Sequence, residues 1–169
     1  NNNSYGRCVD TRKGYLRLKF SNAHLIATKT NSQPLTVGGS EQLHQIDLSE
    51  CTIDAGNSGY GIISFVPTNQ AIKVMNSTVI GYAGIYLKGD GTKVTITYNS
   101  NVIGKNVHSG ETNGFGAVVF EGNNNVVNIN ETSPMLKAIA EGDQAQAAIL
   151  VKSGVGNKVV LDTNKGAEI

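Results

Sequence analysis

Asn76-Ser77-Thr78-Val79-Ile80-Gly81 returns as Asn99-Ser100-Asn101-Val102-Ile103-Gly104, displaced by 23 residues. The apolar positions ahead of the phrase return with it: Phe65, Ile72 and Val74 become Leu87, Val94 and Ile96, each displaced by 22. A repeat of that length, made of valine, isoleucine, threonine and asparagine and lacking helical periodicity, is the mark of a stacked β-solenoid.

The register extends outward in both directions. Leu87, Val94, Ile96 and Val102 map onto Phe120, Val127, Ile129 and Met135, all displaced by 33, and Val151, Val159 and Leu161 follow at 31, 32 and 32. Upstream, Leu48 and Ile53 stand where Val74 and Val79 stand 26 residues later. Each coil reads as strand, turn, strand, turn, short strand and a loop of variable length, and four to six coils fit the chain. One coil cannot bury its apolar face alone, but a neighbour roughly 4.8 Å above covers it and bonds to it in parallel. Four internal columns follow: Phe65, Leu87, Phe120 and Val151; Ile72, Val94, Val127 and Val159; Val74, Ile96, Ile129 and Leu161; and Ile53, Val79, Val102 and Met135. A β-sandwich is the competing architecture, but its antiparallel hairpins do not require residue-by-residue register between strand triplets.

Residues 1–34 read as an N-terminal edge coil and 35–169 as regular coils of a single domain. In the edge coil, Tyr15, Arg17 and Lys19 alternate with Leu16, Leu18 and Phe20, the period of a half-buried strand. Met135–Ala148, where Ala, Gln and Glu cluster, reads as a loop with one helical turn at most.

The totals agree with such a chain. Of 169 residues 39% are hydrophobic and only 16% charged, with 20 glycines and no tryptophan, so polarity comes from the amides and hydroxyls of a turn-rich β protein. A formal net charge of +1 gives no reason to expect nucleic acid or an anionic membrane as partner. No run of 18 apolar residues occurs, so no membrane insertion by a helix is expected. Cys8 and Cys51, 43 residues apart, match no metal-site spacing; a disulfide and two buried thiols both fit. The chain opens on Asn1-Asn2-Asn3 and stops inside a coil at Ala167-Glu168-Ile169, so we expect a piece of a longer protein.

Three-strand coils of 22 or more residues with an asparagine-bearing turn resemble the right-handed parallel β-helix of the pectate-lyase-like superfold. Gly84-Ile85-Tyr86-Leu87-Lys88-Gly89 and Asn99-Ser100-Asn101-Val102-Ile103-Gly104 also resemble phrases of bacterial autotransporter passenger domains. The resemblance covers roughly residues 35–169. It implies a secreted or cell-surface protein, and places any active site on the outside of one sheet.

On the first strand the outward positions read as Ser64 and Val66, Tyr86 and Lys88, Val119 and Glu121, Leu150 and Lys152. A two-carboxylate hydrolase needs acids on adjacent rungs, roughly 5–10 Å apart, and only Glu121 is present. A lyase with a calcium site needs several acids beside a base, and these rungs lack them. They hold Lys88, Glu121 and Lys152 at one position on three rungs, read either as a solvated charge ladder or as an acid and base acting on a sugar. His24, His44 and His108 are scattered, with no metal-binding spacing. No cofactor is expected.

The anchor-to-anchor distance between third and first strands is 8 residues from Val79 to Leu87, 12 from Ile53 to Phe65, 18 from Val102 to Phe120 and 16 from Met135 to Val151. The two longest connections, 104–116 and 137–148, lie on successive coils and should be neighbours. Binding residues concentrate on such loops. The candidates are His108, Glu111, Asn113 and Phe115, then Glu141, Asp143, Gln144 and Gln146, with Tyr60, Tyr82 and Tyr86 nearby. Asn76, Asn99 and Asn130 read as turn amides stacked up the helix. Asn76-Ser77-Thr78 and Asn130-Glu131-Thr132 match the glycosylation acceptor pattern, which in a bacterial protein is coincidental.

The expected function is that of an adhesin or stalk segment of a bacterial surface protein, contacting a host glycan, a host surface protein or another copy of itself. The alternative is a polysaccharide lyase or hydrolase module acting on an acidic polysaccharide.

Overall fold

A computed structural model of the chain describes residues 6–11, 17–27, 31–38, 45–56, 59–65, 70–106, 115–130, 135–140 and 146–162; for 106, 115, 135–140 and 146 the description is of the backbone. The first coil holds β1 (Val9–Asp10), β2 (Arg17–Ser21) and β3 (His24–Ile26), and the second β4 (Leu35–Gly38), β5 (Gln45–Ser49) and β6 (Thr52–Asp54). The third holds β7 (Tyr60–Phe65), β8 (Ala71–Met75) and β9 (Thr78–Gly81), and the fourth β10 (Ala83–Leu87), β11 (Lys93–Thr97) and β12 (Asn101–Asn106). The fifth holds β13 (Phe115–Phe120), β14 (Val126–Asn130) and β15 (Met135–Ala140); β16 (Gln146–Val151) and β17 (Lys158–Leu161) begin a sixth. First strands pair only with first strands, second with second and third with third, giving three parallel sheets of six, six and five strands. The fold is a right-handed parallel β-helix, the hand that parallel crossover connections take.

Two internal columns match the sequence reading throughout. Ile72, Val94, Val127 and Val159 are in register, as are Val74, Ile96, Ile129 and Leu161. Ile46 and Leu18 extend the first, and Leu48 and Phe20 the second. Leu87, Phe120 and Val151 also stack as expected. Burying each such aliphatic contributes roughly 1.5–3 kcal/mol.

The other two columns each slip by one residue at one rung. Ser64, not Phe65, pairs with Leu87, and Phe65 pairs with Gly38, so the outward positions of that rung are Ile63 and Phe65 rather than Ser64 and Val66. Leu136, not Met135, pairs with Val102 above Val79 and Ile53, while Met135 pairs with Asn101. Adjacent apolar residues made both choices ambiguous. Nor does a helical turn occur among the described residues of 135–148: strands occupy 135–140 and 146–151.

Each corner has its own hydrogen-bond system. Between second and third strands, the Cys51 N–H donates to Ser77 Oγ at 2.9 Å and the Ser77 N–H to Ser100 Oγ at 3.3 Å. Those hydroxyls donate in turn to Met75 O at 2.7 Å and Thr97 O at 2.6 Å. Asn76 makes this turn in the left-handed region at φ 47°, and one coil later Tyr98 does so at φ 52°. Because Tyr98 and Asn99 stand where Asn76 stands alone, the repeat lengthens from 22 to 23 residues there. Asn99 is exposed, and serine hydroxyls rather than the amides of Asn76 and Asn99 carry the stacking bonds.

The amide ladder lies at the corner between first and second strands. There Asn125 Oδ1 accepts from the Thr92 N–H at 2.8 Å, and Asn157 Oδ1 from the Asn125 N–H at 2.9 Å. At the third corner the coils come too close for side chains. A Cβ on Gly84 would lie 2.7 Å from Val102 Cγ1, and one on Gly104 would overlap the Gly116 backbone. That closeness lets Tyr82 alone join β9 to β10.

Cys8 and Cys51 are both free thiols, the first exposed and the second buried. Cys51 Sγ donates to Ser49 O at 3.2 Å, as the Ser77 hydroxyl does to Met75 O.

Candidate functional site

Alternation along β7, β10, β13 and β16 sends every second residue away from the helix interior. These outward residues are not simply solvated. Ile63, Tyr86 and Val119 are buried and, with Ala83 at the start of β10, form a second apolar cluster, against which Tyr60, Phe65 and Leu150 pack. The first sheet is thus covered on both faces, as parallel strands commonly are.

Aromatic rings organise one end of this face. Tyr82, at the apex of its one-residue turn, meets Tyr60 edge-on, with ring centroids 6.3 Å apart at 82°. Tyr60 lies over Tyr86 at 4.8 Å and 36°. Two residues along β10 from Tyr86, on the same side, stands Lys88.

Lys88, Glu121 and Lys152 follow one another on three rungs, each one residue past its strand. Lys88 Nζ lies 3.6 Å from Glu121 Oε1, and Lys152 Nζ lies 3.9 Å from Glu121 Oε2. The Tyr86 hydroxyl donates to Glu121 Oε2, and the Lys152 ammonium lies 5.7 Å from the Tyr86 ring centroid. The charge ladder read from sequence is therefore tied into the aromatic cluster through Glu121.

Beside it opens a groove of about 410 Å³, lined by Arg7, Asn31, Gln33, Tyr60, Ile63, Phe65, Tyr86 and Lys88. Ligand clefts run from about 300 to 1,000 Å³, so this one suits a small or short ligand. Arg7 Nε donates to Gln33 Oε1 at 3.3 Å, and its Nη1 pairs with Asp10 Oδ2 at 3.2 Å. Gln33 is buried and its Oε1 also accepts from Thr36 Oγ1 at 3.4 Å, so it serves to hold Arg7, while the exposed Asn31 amide offers donors and an acceptor at the groove and the aromatic rings an apolar surface.

Of the residues expected to bind, Tyr82 and Tyr86 belong to this cluster. His108, Glu111, Asn113, Glu141, Asp143 and Gln144 lie outside the described residues, and Phe115 is described as the first residue of β13. The connections expected over 104–116 and 137–148 are shorter: β12 runs to Asn106, β13 starts at Phe115, β15 runs to Ala140 and β16 starts at Gln146. Arg7, Asn31 and Gln33 were not legible as site residues. They come from the first two coils, where the pairing of Val9 with Leu35, a displacement of 26, is the signal that could have found them.

On the outward face, the described residues of β10, β13 and β16 and the residue after each offer one carboxylate, Glu121. Asp10, beside the groove, is paired with Arg7. Among the described residues no group of three His, Cys, Asp or Glu could hold a metal ion. No protein family, curated protein or solved structure matches the chain.

Proposed function

We propose that the chain is a glycan-binding segment of a secreted or surface-exposed bacterial protein, an adhesin or stalk akin to the autotransporter passengers of the pectate-lyase-like superfold. The observation that carries this reading is the groove at Tyr60. The half-buried Tyr60 ring, backed by Tyr86, suits the C–H face of a pyranose, while the exposed Asn31 amide suits its hydroxyls. The β-helix supports the groove rigidly, because its lining residues come from or beside β1, β4, β7 and β10, which are bonded to one another in register. Binding is favoured over cleavage because Glu121 is already engaged by two lysines and a tyrosine hydroxyl, and Asp10 by Arg7.

The test is a glycan array probed with the purified chain and with Tyr60→Ala. Binding of a defined saccharide class, lost in Tyr60→Ala with an unchanged circular dichroism spectrum, supports the reading. An array silent throughout overturns it. Incubation of the bound saccharide with the protein, followed for unsaturated or reducing ends, addresses the lyase or hydrolase alternative: accumulating product would replace binding by turnover.

A further inference from the structure

We infer that the saccharide taken by this groove is acidic, with its carboxylate seated at Lys88; the inference rests on the glycan reading above and adds to it the charge of the ligand. Arg7 and Lys88 both line the groove, and among the described residues that line it there is no carboxylate. Arg7 is held by Gln33 and Asp10, which orient its guanidinium and offset its charge. Lys88 is differently placed. Its side chain is 47% exposed, and its one ion-pair partner among the described residues, Glu121 Oε1, lies at 3.6 Å, beyond the roughly 2.7–2.9 Å of a charge-assisted hydrogen bond. The ammonium is therefore loosely paired.

Glu121 acts as an internal anion shared between neighbouring rungs. It retains the Tyr86 hydroxyl and Lys152 when Lys88 turns to a ligand. Among the described residues joined in these ion pairs, three cations, Arg7, Lys88 and Lys152, face two carboxylates, Asp10 and Glu121. A ligand carboxylate would give Lys88 a direct partner over an aromatic, partly desolvated surface, where the pair is screened less than in open water. A neutral sugar has nothing to offer that ammonium beyond a hydroxyl.

Matched sugars isolate the charge. Cellobiouronic acid and cellobiose differ only in a carboxylate against a hydroxymethyl group at C6, and 3′-sialyllactose and its neutral methyl ester form a second pair. Titration calorimetry on the folded chain should show at least one acid bound about tenfold tighter than its neutral partner, with the margin shrinking as salt rises. Lys88→Gln should abolish the margin by weakening the acid far more than its neutral partner, and Lys88→Arg should restore it. Glu121→Gln keeps an acceptor for Tyr86 but removes the competing charge, and should widen the margin. Equal binding within both pairs overturns the acidic ligand and leaves a neutral glycan groove. A margin indifferent to Lys88→Gln also overturns the proposal. Failure of all four sugars to bind counts against the glycan reading itself.

Discussion

The backbone N–H of Cys51 donates to the hydroxyl of Ser77, 2.9 Å away and one coil further on. Ser77 repeats the arrangement with Ser100, and each hydroxyl also donates to a carbonyl of its own turn. The serine is thus both acceptor for the coil below and brace for its own corner. Ser77→Ala would leave a buried N–H without its acceptor, at a cost of about 1–3 kcal/mol. Urea unfolding should read that loss. Cys51→Ser, which converts one ladder position into the type found at the next two, should change stability by less than about 1 kcal/mol.

Val94 is wholly buried between Ile72 and Val127, while its neighbour Lys93 points outward and is exposed. Val94→Asp places a carboxylate in a dry column with no cation in register, destabilising by roughly 4–5 kcal/mol or unfolding the middle coils. Lys93→Asp should leave the thermal midpoint almost unchanged. Equal tolerance of the two would contradict the column.

Column residues on the second sheet were legible because that sheet alternates cleanly: Ala71, Lys73 and Met75 face out while Ile72 and Val74 face in. The first sheet offers no such contrast. In Ile62-Ile63-Ser64-Phe65 the inward series carries a serine and the outward series an isoleucine and a phenylalanine, because the outer face is covered as well. A reading by apolarity therefore places Phe65 inside and slips by one. Met135-Leu136 poses the same ambiguity. The groove was legible through Tyr60, Tyr86 and Lys88, the last as part of the ladder with Glu121 and Lys152, but not through Arg7 and Gln33, which reach it from coils whose register the repeated phrase does not extend to.

Gln70 is 1% exposed, and neither Oε1 nor Nε2 has a hydrogen-bond partner among the described residues. Its position is that of Thr92, Asn125 and Asn157 one, two and three coils later, where Thr92 Oγ1, Asn125 Oδ1 and Asn157 Oδ1 are each bonded. An amide buried without partners costs its desolvation, so Gln70→Met, similar in shape and apolar, should stabilise the fold by about 1 kcal/mol. A rise in the denaturant midpoint with an unchanged slope is the expected result; a fall would mean that the amide is satisfied in solution by ordered water.

Ser64 and Phe65 together test the register that shapes the groove. Ser64 is fully buried between Val37 and Leu87, and its hydroxyl accepts from Thr92 Oγ1 at 3.3 Å. Phe65 faces the opposite way, half-buried, and lines the groove. Ser64→Lys would force an ammonium into the apolar column, at a cost of roughly 4–5 kcal/mol, so the protein should fail to fold or melt far below the wild type. Phe65→Lys adds its charge on the outer face, where the long stem can carry the ammonium to water. That variant should keep its β-type spectrum and most of its stability while losing saccharide binding. The opposite pattern, a tolerated Ser64→Lys and an unfolded Phe65→Lys, would return Phe65 to the internal column and remove it from the groove.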